Sequence, residues 1–428
     1  LRPSGPAAVI GVGGGRDVLE AARVGHSPVI GIEINDLIVD LHRRKMASFT
    51  GLTRLPGVEL VNDEARSYMA RDTRRYSVIT MSLIDTWAST GAGAYSLSEN
   101  GLYTREAWQI FLERLAPDGL FTVSRWYLVN SPGETARMLA LALETLWVNG
   151  VKEPRKHLVL LQSGQVATLL VSKSPLSEGD IDLVQSEAVR MGFNMMLTPR
   201  RAPAHPLLRT LVEQPTRAAM WRFCRTQNLD LTPPTDARQF FFSMLKPHTW
   251  LTSRSSVDAL DLSFLGNLQA TQTLVYATLV SLILTVLTVV WPLALRRHDL
   301  PALPRLVLAA SGAYFALIGL GFMFVEIGML SQLNVFLGQP TLALAVLLAG
   351  IIFFTGIGSL ASSNWQLTSS LTARFYPLVP VVLIFVTNLA LPNALRAFEA
   401  SGTPVRVLVS LLLLAPTALG MGLGFPLG

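Results

Sequence analysis

The chain is nearly devoid of cysteine. Cys224 stands alone among 428 residues, which excludes a disulfide scaffold. Histidine is scarce as well: His26, His42, His157, His205, His248 and His298 show no ligand spacing, so no metal is expected. Basic residues outnumber acidic ones by only 35 to 29, and they form no run. A nucleic-acid footprint would be clustered and interleaved with aromatics, so no nucleic-acid partner is expected. Charge itself is in short supply, at 15% of residues against about 25% in an ordinary soluble domain. The deficit is local. Of the 64 (35 + 29) charged residues, only Arg296, Arg297, Asp299, Arg305, Glu326, Arg374, Arg396, Glu399 and Arg406 lie beyond position 270. One soluble globule is thereby excluded.

What fills that deficit is apolar. Residues 274–295 hold 22 positions without a charge, enough to cross a hydrocarbon core of about 30 Å. Five spans are expected, at 273–295, 306–330, 340–360, 375–395 and 405–428, so the lipid bilayer is a partner. Both chain ends are expected to be cut from a longer protein. Arginines in the loops after the first and third spans slightly outnumber those on the other side, which favours an outward soluble part. A cytosolic cofactor requires the opposite, and a cytoplasmic soluble domain on a multi-pass bacterial inner-membrane protein is the expected arrangement. Glu326 falls inside the second span, four residues before its expected end. An intramembrane acid is either a transport or substrate group or a polar lock between packed helices.

The amino-terminal part has the alternation of strands and helices that makes a doubly wound, mostly parallel α/β sheet. An apolar run at 7–10 leads into Gly11, Gly13, Gly14 and Gly15, followed by helix-compatible sequence from Arg16. A strand, a glycine turn and a helix N-terminus leave room for a ligand and expose backbone N–H groups. The next strand ends at Glu33, where a carboxylate can accept both ribose hydroxyls of an adenosine moiety, unless it is a plain surface acid. A third strand ends before Asp63, which can meet an adenine amine or cap the helix that follows. A fourth ends at Ser82, with Asp85 just beyond as a substrate contact or a turn cap. Asp17 caps the first helix or meets the cofactor's polar tail. Tyr95 and Tyr103 flank a long polar stretch, as lid contacts to substrate or as loop packing. Further elements are expected at 104–115 (helix), an APDG turn with the strand LFTVSRW, 132–147 (helix), and a hairpin of HLVLLQS and QVATLLVSK. The organisation is thus a nucleoside-binding domain over 1–175, a helical extension over 176–265 with pieces at 177–191 and 208–224, and the membrane domain over 270–428.

Taken together, GVGGGRDVLEAARVG, IEIN with Glu33, NDEAR with Asp63, and LYTREAW followed by LAPDG resemble the spermidine synthase-like aminopropyltransferases and the wider class I S-adenosylmethionine-dependent methyltransferases. The segments GFMFVEIGMLSQ, FLGQP, GLGFPLG and the stretch LTPPTDARQFFF are similar to those of bacterial integral-membrane proteins that carry such a domain. The resemblance implies S-adenosylmethionine or its decarboxylated form as cofactor. Gly13, Gly14 and Gly15 would lie beside its amino-acid or aminopropyl portion, with Glu33 on the ribose and Asp63 at the adenine. Aminopropyltransferases of polyamine biosynthesis place two carboxylates three residues apart after the fourth strand. Here the second matches Asp85, but Ser82 stands in place of the first. A hydroxyl cannot fix an ammonium and draw off its proton as a carboxylate does.

Two readings follow. The first is a membrane-anchored transferase that alkylates a small or lipid-like acceptor, with Asp85 ordering the acceptor and Ser82 as a hydrogen-bond donor. The second is a catalytically inactive nucleoside-binding domain that regulates a transporter-like membrane module. An NAD-linked oxidoreductase fits the glycine turn but not the residues downstream of it. Acceptor and oligomeric state are left open by the sequence.

Overall fold

A computed structural model describes residues 1–84, 100–246, 262–295, 304–362 and 375–423. The chain divides into two compact units, Leu1–Ala270 and Thr271–Gly428.

The first unit is built on one eight-stranded sheet in the order β3-β2-β1-β4-β5-β7-β6-β8. Its strands are β1 (Ala7–Ile10), β2 (Val29–Glu33), β3 (Val58–Asn62), β4 (Tyr76–Ser82), β5 (Leu115–Trp126), β6 (Leu158–Ser163), β7 (Val166–Ser172) and β8 (Asn194–Leu197). The first five are parallel, and β7 pairs antiparallel with both β5 and β6. Both faces of the central strands are covered, so they read as unbroken apolar runs. Ile10, Ile30, Ile32, Ile79, Met81, Phe121 and Val123 are all fully buried. The strand order reverses between β1 and β4, and ligands of such sheets bind in the crevice at that point.

The helices of this unit are α1 (Arg16–Val24), α2 (Asp36–Asp40, continued by a π turn at Leu41–Lys45), α3 (Ala65–Arg71), α4 (Arg105–Arg114), α5 (Gly133–Val148), α6 (Glu178–Met191), α7 (Pro206–Val212) and α8 (Arg217–Thr226). α5 is buried along its length from Gly133 to Leu146. The expected APDG turn is absorbed into β5 as a shift in register against β4 between Tyr76 and Val78. The expected helical extension also supplies a strand, β8, on the β6 edge. The single helix expected at 208–224 is two helices. Pro215 cannot continue the first, and the Thr216 hydroxyl caps the second by accepting from Ala219 N at 3.2 Å.

The second unit contains five helices long and apolar enough to cross a membrane, by length and composition. They are α9 (Leu262–Thr285, continued through a π segment and Trp291–Leu295), α10 (Arg305–Leu337), α11 (Pro340–Ser362), α12 (Leu378–Phe398) and α13 (Thr403–Gly422). At Gly358, a Cβ would lie 2.2 Å from the Leu419 carbonyl oxygen, so the missing side chain is what lets α11 approach α13. α10 runs past the expected end at 330 to a left-handed Gly338. Glu326 therefore stands 11 residues (337 − 326) from the helix end, not four. Arg406, one of the nine charges beyond position 270, is fully buried and donates from Nη1 to the Phe336 carbonyl at 2.7 Å. That carbonyl belongs to the last turn of α10 and has no partner within the helix, so a cation is well placed there.

Candidate nucleoside site

The site is assembled at the carboxyl ends of β1, β2, β3 and β4. The glycine turn leaves β1 and returns its Gly15 N–H to the Val12 carbonyl at 2.8 Å. Gly11 adopts φ +79, and a Cβ there would meet Ile84 Cγ2 at 2.8 Å. Ile84 is brought onto the turn by Leu83, whose φ is 44. A non-glycine residue in that region costs about 1–2 kcal/mol. The strained residue thus lies directly after Ser82, at the switch point. Gly15, at φ +85, faces Leu52 and His42, and its missing side chain is filled by them. Gly13 and Gly14 are exposed, and a Cβ on either would meet nothing within 4 Å. Among the described residues, nothing covers them on the crevice side.

Glu33 ends β2 and is buried. Its Oε2 accepts from Gly13 N at 3.1 Å, and its Oε1 accepts from Asn35 N at 3.0 Å. The carboxylate thereby braces the glycine turn, and each of its oxygens keeps a further lone pair. Asn62, at the end of β3, donates to the Glu33 carbonyl at 3.0 Å. Asp63 accepts from Glu64 N at 2.8 Å through Oδ1, and its Oδ2 pairs with Arg71. It does not cap α3. Glu64 does, accepting from Arg66 N at 2.8 Å and Ser67 N at 2.7 Å. Asp17 sits in the first turn of α1 and makes no capping hydrogen bond.

Ser82 pairs in register with Ser124 at the end of β4. Asp85 and Tyr95 lie outside the described residues. Tyr103 has its ring in the core, stacked on Phe241 at 4.6 Å, and its hydroxyl accepts from Arg125 Nη1 at 3.2 Å. As placed, it packs rather than faces the crevice. Glu326, in the other unit, is not among the residues lining a cavity of about 250 Å³ there, whose polar groups are Thr387, Asn388 and Thr417.

Two features escaped the sequence reading. His42, on the π turn after α2, is buried and its Nε2 donates to the Gly13 carbonyl at 2.8 Å. It holds the turn from behind, while Glu33 holds it from the side. A lone histidine without ligand spacing gave no signal for this. The second is a strap, residues 230–245, that carries the TDARQFFF stretch. Asp236 is bound by Arg66 through both oxygens at 2.6 and 2.7 Å, Arg105 N donates to the Pro234 carbonyl at 3.0 Å, and Asn100 N donates to the Gln239 carbonyl at 3.0 Å. The motif is legible as a string, but only the fold shows that it straps α3 and α4.

The strongest titration shifts lie away from this crevice. At the amino end of β4, burial pushes the Tyr76 phenol far above its ordinary range, helped by Asp72. Burial opposes ionisation of Asp72, yet hydrogen bonds from Arg74 and Tyr76 hold its carboxyl below the usual value. That end of the sheet is the stabilising end, and the crevice is the open one. Among the described residues, no group of three or more His, Cys, Asp and Glu is placed to hold a metal ion.

No family model matches the chain, and no curated protein sequence matches it. Among solved structures, it is similar to a spermidine synthase from Thermotoga maritima at 21% identity and a TM-score of 0.31, over 43% of this chain and 58% of that one. The chain thus spans less than two thirds of that enzyme's length. It is similar as well to the human methyltransferase-like protein 13 in complex with SAH, at 15% identity and a TM-score of 0.32, over 43% of this chain and 80% of that one. A putative methyltransferase from Streptococcus mutans, also in complex with SAH, matches at 15% identity and a TM-score of 0.29, over 39% and 87%. These are distant likenesses in fold, of the kind shared by spermidine synthases and S-adenosylmethionine methyltransferases, joined here to an apolar helical bundle.

Proposed function

We propose that the first unit binds S-adenosylmethionine or its decarboxylated form and transfers an alkyl group to a small or lipid-like acceptor near the membrane. The observation that supports this most directly is Glu33, bonded to Gly13 N at 3.1 Å beside the exposed Gly13 and Gly14. A ribose diol held by Glu33 sets the nucleoside along the carboxyl edge, with adenine towards Asp63 and the sulfonium over the glycines. The sulfonium is already an activated leaving group. In the transfer, an acceptor lone pair forms the new bond to carbon while the carbon–sulfur bond breaks and its electron pair stays on the thioether. The rate comes chiefly from alignment.

Spermidine synthesis itself is not proposed. Ser82 stands where those enzymes carry a carboxylate, and general-base assistance to an attacking amine contributes about 10²–10⁴-fold. Asp85 is assigned the ordering of the acceptor, and Ser82 the donation of a hydrogen bond to it. The same reading sets the chain in the bacterial inner membrane with this unit on the cytoplasmic side, where the cofactor is made. The test is a transfer assay on the full-length, detergent-purified protein with cofactor labelled on the transferred group and membrane extract as acceptor. Label incorporated by the wild type and lost in Glu33→Ala and Asp85→Asn supports the reading. Nucleoside binding without any incorporation would favour the inactive regulatory domain instead.

A further inference from the structure

Three arginines of the first unit are nearly fully buried: Arg66, Arg125 and Arg137. The first two meet carboxylates, Asp236 at 2.6 Å and Glu134 at 2.8 Å. Arg137, on α5, meets only neutral carbonyls. Its Nε donates to Thr232 O at 3.1 Å, and its Nη1 donates to Phe240 O at 2.9 Å, Phe241 O at 2.7 Å and Ser243 O at 2.9 Å. Among the described residues, Nη2 has no acceptor. Carbonyl dipoles hold the guanidinium in place, and Asp230 opposes its charge only from beyond salt-bridge distance, a costly state for a buried cation. Burial draws its pKa down to about 10, against an opposing pull from Asp230.

Arg137 does not lie in closed core. It lines a cavity of about 440 Å³ between α5, α8 and the strap, together with Arg225, Arg238, Asp230 and Trp221. Arg225 lies over the Trp221 ring at 5.5 Å, and both it and Arg238 are exposed at the rim. Three guanidiniums against one carboxylate leave the lining at +2 (3 − 1). That carboxylate is engaged, with Asp230 Oδ1 accepting from Thr232 N at 3.0 Å and Thr232 Oγ1 at 2.6 Å. No carboxylate stands within 4 Å of any of the three guanidiniums among the described residues.

We propose that this cavity is a binding site for a phosphate-bearing anion. The phosphoryl group sits on the free Nη2 of Arg137, with Arg225 and Arg238 closing on it from the rim. Three forks approaching from different elements suit the tetrahedral oxygens of a phosphate better than the two coplanar oxygens of a carboxylate. Trp221 and the prolines at 233 and 234 offer an apolar wall for the rest of the ligand. A cationic ligand such as a polyamine is repelled. The site shares no residue with the glycine turn, Glu33 or Asp63, so it stands independently of the nucleoside reading. The phosphate can come from a free anion or from a phospholipid headgroup, since both present the same tetrahedral oxygens.

The test uses ³¹P NMR on the full-length protein in a phosphorus-free detergent at fixed ionic strength. The probes are inorganic phosphate and, separately, phosphatidylglycerol doped into the micelles, with phosphatidylcholine as the neutral control. Saturable broadening of either anionic probe, weakened about tenfold in each of Arg225→Ala and Arg238→Ala, is expected. Arg137→Gln keeps neutral donors for the carbonyls and is expected to abolish it. Should that variant not fold, the two exposed rim variants carry the test alone. A response to phosphate alone assigns a free anion, and a response to phosphatidylglycerol alone assigns a headgroup. Silence for both probes, or binding unchanged in the rim double variant, overturns the proposal. Binding that survives in Glu33→Ala while nucleoside binding is lost shows that the two sites stand or fall separately.

Discussion

Glu33 Oε2 and Gly13 N are joined by a 3.1 Å hydrogen bond across 20 residues of sequence. One carboxylate thus closes the glycine turn and keeps a further lone pair on each oxygen. Glu33→Ala is expected to weaken nucleoside binding by about ten- to a hundredfold, the worth of one or two charge-assisted hydrogen bonds. Because Gly13 N is exposed to water once freed, folding stability should fall by no more than about 2 kcal/mol. Titration and thermal unfolding of the same preparation separate the two effects.

His42 supports the same turn from beneath through the Gly13 carbonyl at 2.8 Å. An acceptor carbonyl requires that Nε2 carry the proton there. His42→Phe removes the donor and should loosen the turn, raising amide exchange at Gly13 and Gly14 and weakening nucleoside binding about tenfold. His42→Gln restores a donor and should recover part of both. Equal exchange in wild type and His42→Phe would remove this positioning role.

Much of this was legible in the sequence. Glycines before a helix, an acid ending the second strand, and unbroken apolar runs located β1, α1, β2 and β4 closely. Five apolar stretches located the helices long and apolar enough to cross a membrane. What the sequence hid depended on tertiary contact. β8 has only four residues and gains its place from β6. Pro215 divides a helical pattern that periodicity alone would join. Capping of α3 by Glu64 rather than Asp63 is a choice between adjacent acids that only backbone geometry makes. The pairing of Arg406 with the Phe336 carbonyl at the end of α10 joins residues 70 positions apart, which no local pattern shows.

Cys224 offers a clean reporter of unfolding. It is the single cysteine, fully buried on α8, and burial pushes its thiol up to about 12. Only the thiolate is alkylated, so the native protein at neutral pH should resist iodoacetamide while the denatured chain reacts at once. Rapid alkylation of native protein would contradict the packing of α8 against α5.

Asp180 ties α6 to the amino-terminal segment through Arg2 at 2.7 Å, and that hydrogen bond holds its carboxyl down to about 2 from 3.8. The folded value is the lower one, so the pair stabilises fully above about pH 4 and is lost as pH falls from 3.8 towards 2. Asp180→Asn should cost about 1 kcal/mol near neutrality, because solvent screens the pair, and should remove that part of the acid sensitivity. Unfolding followed across this window in both proteins checks the sign.

Glu144 is fully buried on α5, yet accepts from Arg217 at 2.6 and 2.8 Å and from Trp221 Nε1 at 2.8 Å. Burial alone would raise its carboxyl, but these donors hold it below the usual value. Glu144→Ala should destabilise the first unit by about 2–3 kcal/mol, because Trp221 loses its acceptor and α8 its tie to α5. An unchanged denaturant midpoint would show that α8 docks by apolar contact alone.

The proposed transfer rests on a sulfonium nucleoside bound in the crevice between β1 and β4. Calorimetric titration of the full-length protein with S-adenosylmethionine, its decarboxylated form, methylthioadenosine and NAD tests it most directly, with Glu33→Ala as the control. Saturable heat is expected from one of the sulfonium nucleosides, none from NAD, and the signal is expected to be lost in Glu33→Ala. Silence for all four ligands, or a sulfonium signal that persists undiminished in Glu33→Ala, would contradict it.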